Sequence, residues 1–314
     1  MKTYLVLVVI VLFNAYTLFG QKNNGGSEAI KSKIYNLNLE VENQFINEDF
    51  NSLIKHYDTE LTYFPEFKPA IFSIGVLKKF YKDWFGQVRI ESYKKNIFKV
   101  ENFNEFILEV GTFDLKYSSS TAPKIQSRYQ GKYMIIWRST KSGKLKILSE
   151  AFGADKFIEP EDMPYSNVSV KESDISAENK TIDPALSSEI EIQNSDVIKA
   201  VVEGNGYKRS EGFTDDGIYM PHFESILSGI DIIKPYMLKT YNPGAKLYVK
   251  HHFYRIFDFG DLILINGHFD GGWGDKTNGG VFTGNMLNLL KREKGKLLMY
   301  CQLVNNDKKP KANN

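Results

Sequence analysis

The stretch TYFPEFKP at Thr62–Pro69 recurs half a chain later as IYMPHFES at Ile218–Ser225. In both copies an aromatic residue is followed by any residue, then by proline, a polar residue and phenylalanine. The two prolines, Pro65 and Pro221, are 156 residues apart. Because each copy also precedes a glycine-led amphipathic stretch, the motif predicts that one folding unit occurs twice.

Further matches support a duplication of about half the chain. Gly111-Thr-Phe-Asp114 and Gly267-His-Phe-Asp270 are again 156 residues apart. Between the two motifs, Gly75–Tyr81 resembles Gly229–Tyr236 with one inserted residue. Solenoid repeats have periods of roughly 20–50 residues. The much longer period here therefore predicts a duplicated domain.

The composition is that of a globular protein with two domains of ordinary size. The chain has 314 residues, of which 42% are hydrophobic and 25% are charged. Its net charge is +2, with acidic and basic residues mixed along the chain. Nucleic-acid binding requires a clustered basic face, so we predict no nucleic-acid partner.

Cys301 is the only cysteine, which excludes an intramolecular disulfide, and its apolar neighbours predict that it is buried.

The first twenty residues have the layout of a secretory signal peptide. Lys2 precedes the apolar run Leu5–Phe13, and cleavage after Gly20 would leave Gln21 at the mature end. A membrane anchor is the alternative, but the run is shorter than the ~20 apolar residues that a spanning helix needs. We therefore predict a secreted or periplasmic protein with no membrane association after cleavage.

Helical patterns precede strand patterns in both copies. The first copy has helical spacing of apolar residues from Ile30 to Phe45, then helical patterns over 51–57 and 75–85. Its predicted strands are 97–100, 106–117, 132–138 and 145–151. The second copy has a short predicted helix, 197–202, and predicted strands 246–257, 262–269, 285–291 and 297–304. This order is typical of α+β domains, whose helices pack on one face of an antiparallel sheet.

These patterns divide the chain into five segments. We predict a signal peptide at 1–20, a first domain at 27–156, an acidic linker at 157–183, a second domain at 184–306 and a tail at 307–314. The linker is rich in Ser, Glu, Asp and Pro and lacks periodicity.

Three stretches resemble the nuclear transport factor 2-like superfamily. They are Tyr57–Pro65 and Gly131–Trp137 in the first copy and Phe213–Pro221 in the second. The resemblance is to the SnoaL-like branch, which includes ketosteroid isomerase, scytalone dehydratase, limonene epoxide hydrolase and polyketide cyclases. It implies two tandem cone-shaped α+β rolls, each a curved antiparallel sheet wrapped around N-terminal helices, with an apolar pocket at the open end.

The same resemblance implies that the proline segments lie at the pocket rims. The predicted ligand-binding residues are aromatic or next to the motif: Tyr63, Phe67, Trp84, Trp137, Tyr219, His222, Phe223 and Trp273. For the aromatic residues of the motif, plain core packing is the alternative, and for Trp273 it is exposure on a loop. Glu66, next to Pro65, is predicted to lie at the surface.

Histidines suggest where catalysis could occur. The isomerases of the superfamily place a carboxylate base immediately before the proline, but Phe64 and Met220 stand there and cannot take a proton. His252, His268 and Asp270, on two predicted neighbouring strands, are the candidates for acid–base chemistry. The alternative is that these histidines only form local hydrogen bonds. No compact spacing of three or four ligands occurs, so we predict no metal and no cofactor.

Two hypotheses follow. In the first, the protein binds a small apolar or aromatic molecule without catalysis, and its sheet faces pair within the chain or with another copy. In the second, it is a lyase, isomerase or hydrolase that uses the histidines of the second domain. Many functions share one scaffold, so the fold cannot decide between them. The missing base and the aromatic content favour binding.

Overall fold

The structure is a computed structural model that describes residues 24–103, 105–120, 126–171, 182–241, 243, 247–274, 279–293 and 295–312. The predicted signal peptide lies outside the described residues. Among the described helices, none has both the length and the apolar content needed to cross a membrane.

The first half folds as helices followed by a five-stranded sheet. Its helices are α1 (Asn24–Ile46), α2 (Phe50–Leu53) and α3 (Ile74–Phe85). Its strands are β1 (Tyr57–Phe64), β2 (Val88–Asn102), β3 (Phe106–Ser119), β4 (Gln126–Ser139) and β5 (Leu145–Ala154). The strand order is β1-β5-β4-β3-β2, in which β1 runs parallel to β5 and the other pairs are antiparallel.

The second half repeats this order. Its helices are α4 (Pro184–Val202), α5 (Gly206–Glu211) and α6 (Ile230–Thr240). Its strands are β6 (Phe213–Met220), β7 (Leu227–Ser228), β8 (Leu247–Asp258), β9 (Leu262–Trp273), β10 (Gly280–Glu293), β11 (Lys296–Asn306) and β12 (Lys311–Ala312). The sheet order is β7-β6-β11-β10-β9-β8, and β12 pairs with β10.

The predicted α+β architecture of two tandem cones is confirmed, because the two halves share topology down to an irregularity. The parallel pairing of β1 with β5 shifts register between Tyr57 and Thr62. The pairing of β6 with β11 shifts between Phe213 and Ile218, the positions that correspond to Tyr57 and Thr62 at the spacing of the two prolines. We call the two units the first cone and the second cone.

The repeated glycine of the Gly-x-Phe-Asp motif has a packing reason. A Cβ on Gly111 would lie 2.4 Å from the Tyr133 hydroxyl, on the neighbouring strand β4. A Cβ on Gly267 would lie 2.6 Å from the Met286 side chain, on β10. In each sheet, an inward-facing side chain of the neighbouring strand occupies the space above the glycine. Any larger residue at that position would collide with it, so glycine is required.

Several predicted boundaries are wrong. The α4 helix has 19 residues and begins at Pro184, with the Asp183 side chain accepting a hydrogen bond from the Ala185 N–H, whereas only 197–202 was predicted. An N-cap aspartate followed by proline is a start signal that the short prediction ignored. Residues 57–64 form a strand that was not predicted and that begins at the last residue of the predicted helix 51–57, and β2 begins at Val88, before the predicted 97.

The alignment of Gly75 with Gly229 is also wrong. Helices α3 and α6 begin at Ile74 and Ile230, which keep the spacing of the two prolines, so no residue is inserted before them. Gly75 lies inside α3, whereas Gly229 precedes α6 with a φ of 84°. The residue of the first cone that corresponds to Gly229 is Ser73, the N-cap of α3.

The sheets pack against each other through their outer faces. Phe64, Leu108 and Met134 of the first sheet form one buried apolar cluster with residues of the second, such as Leu264 and Leu303. Cys301 is buried in this cluster, which confirms the prediction for the cysteine. The helices cover the inner face of each sheet and form two separate cores there.

Equivalent cations of the two cones each reach the other cone. Lys99 Nζ of the first cone donates a hydrogen bond to the Tyr300 hydroxyl of the second at 2.5 Å. Arg255, the counterpart of Lys99 at the repeat spacing, donates from Nη1 to the Glu60 carbonyl of the first cone at 2.6 Å. The two acceptors are not equivalent, so the donors are shared by the two cones while their partners differ.

Part of the segment predicted as a linker belongs to the first core. Met163, Tyr165 and Val168 are buried there with the residues of the first cone. The first domain therefore extends past the predicted boundary at residue 156. Residues 172–181 of the predicted linker lie outside the described part of the chain.

Candidate functional site

The first cone is closed by its own chain. The Tyr165 ring packs 4.9 Å from the Trp84 ring and 5.4 Å from the Phe80 ring, measured between centroids. Phe113, Tyr129 and Phe152, at the end of the sheet away from the β4–β5 turn, are buried. The remaining interior void measures about 20 Å³, which is room for about one water molecule.

Buried charges inside the first cone are paired with each other. The Glu109 carboxylate accepts hydrogen bonds from Asn38 at 2.6 Å, Tyr133 at 2.7 Å and Trp137 at 2.8 Å. Lys95 Nζ lies 3.6 Å from the same carboxylate. Tyr57 donates a hydrogen bond to Glu150. Burial raises the pKa of Glu150, and the positive charge of Lys95 partly opposes this rise. The buried carboxylates of this interior are hydrogen-bonded, and the void beside them is too small for a ligand.

The second cone is less tightly filled at equivalent positions. Val41 and Phe45 of α1 belong to the first core, and Phe45 packs on four aromatic rings. The α4 residues at the repeat spacing are Val197 and Val201, and Val201 is only half-buried. At the end of the second sheet away from the β10–β11 turn, Phe269, Phe282 and Val304 are also half-buried, unlike their first-cone counterparts.

The C-terminal half of α4 borders a groove instead of a packed core. The groove lies between α4, α5 and the turn that joins β10 to β11, and its volume is about 480 Å³. Ligand sites typically measure about 300–1,000 Å³. We call it the Arg209 groove, and its inner lining includes Val197, Ala200, Arg209, Gly212 and Leu297.

Arg209 is the unusual residue of this groove. Its side chain comes from α5, which Asn205 caps by accepting a hydrogen bond from the Lys208 N–H at 3.0 Å. Only 3% of Arg209 is exposed, and its guanidinium lies 4.8 Å from the centre of the Phe213 ring. Nη2 donates to the Gln302 side chain at 2.7 Å, whereas Nε and Nη1 are buried without a hydrogen-bond partner in the described residues.

Uncharged polar side chains surround the guanidinium. Gln302 Nε2 donates in turn to Asn288 Oδ1 at 2.9 Å. His251 Nδ1 lies 2.6 Å from Asn194 Oδ1, and burial, with a smaller effect of the Arg209 charge, lowers the pKa of His251 to about 4. The imidazole is therefore neutral near pH 7 and adds no charge to the second cone.

The two proline motifs meet where the cones join. Glu66 and His222, the polar residues of the two copies, face each other with Oε1 and Nδ1 3.5 Å apart. Phe67 and Phe223 follow them, with ring centroids 6.3 Å apart, and both have a φ of 57°. A left-handed conformation of a bulky residue costs roughly 1–3 kcal/mol. We call residues 65–67 and 221–223 the proline junction.

Burial dominates the electrostatics of the proline junction. It raises the pKa of Glu66 to about 7, lowers that of His222 to about 3, and lowers that of the neighbouring Lys132 to about 8. Glu66 Oε2 accepts hydrogen bonds from the Tyr129 hydroxyl at 2.7 Å and from the Ala154 N–H at 2.8 Å. The predicted surface placement of Glu66 is wrong, because the residue is fully buried between the cones.

The predicted catalytic residues lie close together, but on the outer face of the second sheet rather than inside the second cone. His252 Nε2 lies 2.6 Å from Asp270 Oδ1, and His268 Nε2 lies 3.2 Å from Asp307 Oδ2. The His252 side chain is 55% exposed and that of Asp270 is 35% exposed. His268 and Asp270 alternate with the inward-facing Ile265 and Phe269, so they project from the outer face of the sheet. They do not meet a ligand held inside the cone.

The predicted ligand-binding residues fall into three places. Tyr63 and Trp84 line the small void of the first cone, and Trp137 donates to Glu109 beside it. Phe67, His222 and Phe223 form the proline junction. Only Tyr219 and Trp273 lie in the second cone or at its end: Tyr219 in the core, and Trp273 half-exposed at the end of β9, stacked on Phe282. The proline motifs therefore join the cones rather than each forming a separate pocket rim.

The described residues contain no group of three or more His, Cys, Asp or Glu side chains that could hold a metal ion.

Sequence reasoning missed Arg209. Its first-cone counterpart at the repeat spacing is the buried Leu53. Extending that spacing into the short helix would have revealed a leucine replaced by arginine at a core position. The flanking sequences KHYDTE and EGFTDD share too little to suggest that alignment without the structure.

No family model matches the chain, and no curated protein does. Among matching solved structures, Aln2 from a Streptomyces species is 14% identical, with 41% of this chain and 95% of that chain covered and a TM-score of 0.37. A ketosteroid isomerase-like protein from Erwinia carotovora atroseptica is 12% identical, with coverages of 36% and 85% and a TM-score of 0.34. A hexachlorocyclohexane dehydrochlorinase, LinA type 2, is 11% identical, with coverages of 41% and 88% and a TM-score of 0.36.

These likenesses concern the fold alone. Each half is an α+β unit with helices on the inner face of its sheet, the architecture that the sequence resemblance implied.

Proposed function

We propose that the second domain binds a small apolar or aromatic molecule and that the first domain is its folded support. The Arg209 groove carries this proposal, because its volume of about 480 Å³ lies against a buried guanidinium with nitrogens that are unpaired among the described residues. The first cone has an interior void of about 20 Å³ and a surface pocket of about 450 Å³ beside Ile46 and Arg89, and the described lining of neither combines space for a ligand with a buried unpaired charge. Val197, Ala200 and Leu297 form an apolar part of a lining that also contains charged residues, and this part supports contact with the apolar portion of a ligand.

Catalysis is not part of the proposal. A catalytic group has to reach the bound molecule. His252, His268 and Asp270 lie on the outer face of the second sheet, and Glu109 and Glu150 are enclosed in the filled first cone. The geometry therefore favours binding over the lyase, isomerase or hydrolase alternative.

The test is a thermal-shift screen of hydrophobic small molecules with the full mature chain. A ligand that binds the folded state raises the melting temperature. Ala200→Phe, which fills the groove, should abolish the shift of any hit. Val202→Phe on the same helix is the matched control, because Val202 is 39% exposed and outside the groove lining. Hits that survive Ala200→Phe would contradict the groove as the binding site.

We also propose export to the periplasm or the medium, on the strength of the charged, apolar and small-residue pattern over 1–20. N-terminal sequencing of the protein recovered from cells should give Gln21 as the first residue. A mature protein that still begins at Met1 would contradict export by cleavage.

A further inference from the structure

The Arg209 groove contains a positive charge that the described part of the second cone does not balance. A guanidinium stays protonated in proteins and has five N–H donors. One donor of Arg209 is used by Gln302, while Nε and Nη1 have no partner among the described residues. Burying an ion without a counter-charge is costly, and natural proteins avoid it unless a ligand or metal completes the site.

The first cone shows how the same fold balances its interior. There the charged residues Lys95, Glu109 and Glu150 contact one another or shared partners. In the second cone the equivalent positions are occupied by His251, Ile265 and Gln302. Both carboxylates have thus been replaced by uncharged residues, while Leu53 has been replaced by Arg209. The second interior has exchanged the cation Lys95 for the cation Arg209 at another position and has lost both anions.

Nearby acidic residues do not supply the missing charge. Glu189, Asp196 and Glu211 line the groove, but none of them forms an ion pair with Arg209 in the described structure, and Glu189 pairs with Arg292 at 3.0 Å. A Cβ on Gly212, which also lines the groove, would lie 3.8 Å from Arg209 Nη1. This nitrogen therefore lies near the groove wall but is itself buried, so a ligand contacts it only when the side chains around it move.

We propose that the ligand of the second domain is an organic anion: a small apolar or aromatic molecule whose carboxylate is bound by Arg209. This inference rests on the binding function proposed above. The guanidinium fork matches a carboxylate in two parallel hydrogen bonds, and the Phe213 ring lies 4.8 Å from its central carbon. The apolar residues of the lining, such as Val197 and Leu297, can contact the rest of the molecule.

The experiment compares 2-naphthoate with its neutral counterpart 2-naphthamide by isothermal titration of the full mature chain. We expect naphthoate to bind about tenfold more tightly or better, since a hydrogen bond to a charged group exceeds a neutral one. Gln302→Glu places in the second cone the carboxylate that the first has at the equivalent position. It should raise the melting temperature of the ligand-free protein and abolish the preference for naphthoate.

Two further variants control the interpretation. Arg209→Leu restores the first-cone residue and should also remove the preference while naphthamide still binds. Lys239→Leu, which removes an exposed cation of the second domain outside the groove lining, should leave the preference unchanged. If wild-type protein binds both probes equally, the anion inference is wrong and the binding function stands. If neither probe nor any apolar compound of the thermal-shift screen binds, both are wrong.

Discussion

The two cones have one topology and opposite interiors. The first is filled by aromatic rings, sealed by Tyr165 and internally neutralised around Glu109. The second has smaller residues on α4, a groove beside it and a buried arginine with two nitrogens that lack partners among the described residues. Duplication relaxes the demand on each copy, because one cone can stabilise the shared interface while the other keeps a groove beside a buried unpaired cation. Such a cation reduces stability where it lies, and it is characteristic of a functional site.

The largest change in the free energy of unfolding is expected at Tyr165, which closes the first cone. Tyr165→Ala should lower the free energy of unfolding by about 3–5 kcal/mol, the usual cost of truncating a large buried aromatic residue. Urea denaturation measures the change. Phe157→Ala is the control in the same segment, because Phe157 is 64% exposed and should cost below about 1 kcal/mol. Equal costs would mean that the segment does not seal the cone.

Tyr165→Ala should also make the first cone resemble the second. Removing the ring leaves an apolar space next to Trp84 and Phe80, to which a hydrophobic dye can bind. Dye fluorescence that stays at the wild-type value at native pH would show that the first cone collapses when opened.

The charge network gives the next largest effect. Lys95→Met leaves Glu109 and Glu150 without their buried cation, and we expect a loss of about 3 kcal/mol. His251→Met changes the equivalent residue of the second cone and removes one hydrogen bond to Asn194, for a loss of about 1 kcal/mol. Chemical denaturation of both variants tests this asymmetry. Similar losses would show that the interiors do not differ in their dependence on charge.

The proline junction predicts opposite pH dependences for two equivalent positions. The pKa of Glu66 rises from 4.5 to about 7 on folding, so between these values the folded protein binds more protons than the unfolded one. The stability that Glu66 contributes is present below pH 4.5 and is lost as the pH rises through 7. Glu66→Gln cannot ionise, so its stability relative to wild type should increase from pH 4.5 to 7 and then level off.

His222 should show the reverse trend. Its pKa falls from 6.5 to about 3 on folding, so its contribution is present above pH 6.5 and is lost as the pH falls through 3. His222→Gln should therefore gain stability relative to wild type as the pH falls from 6.5 to 3. Denaturation curves across pH 3 to 8 measure both trends. Parallel pH profiles for the two variants would contradict the assigned burial of these groups.

The sequence predicted the duplication because Pro65, Gly111 and their counterparts keep one spacing, and each has a steric reason to persist. It could not predict the seal, since Tyr165 lies in an irregular segment whose packing depends on the finished cone. Alternation along β9 correctly placed His268 and Asp270 on one face. Which face is inside depends on the helices, and periodicity alone does not contain that information.

The smallest expected effect concerns the interface between the sheets. Cys301 is buried there in apolar surroundings, with its sulfur 3.6 Å from that of Met134. The equivalent residue of the first sheet is Ser149, which pairs with Thr62 as Cys301 pairs with Ile218. The buried Ser149 hydroxyl has no hydrogen-bond partner in the described residues. An unpaired buried hydroxyl costs about 1–3 kcal/mol, so the first sheet carries a penalty that the second avoids.

Exchanging the two residues tests whether the outer faces are truly equivalent. Ser149→Cys should raise the free energy of unfolding by about 1 kcal/mol, and Cys301→Ser should lower it by about 1–2 kcal/mol, because each change removes or creates one unpaired hydroxyl. Urea denaturation under reducing conditions measures both. A stabilising Cys301→Ser would show that a polar partner is available at that position. The two faces would then differ as the two interiors do, and the interface could no longer be treated as the symmetric part of the molecule.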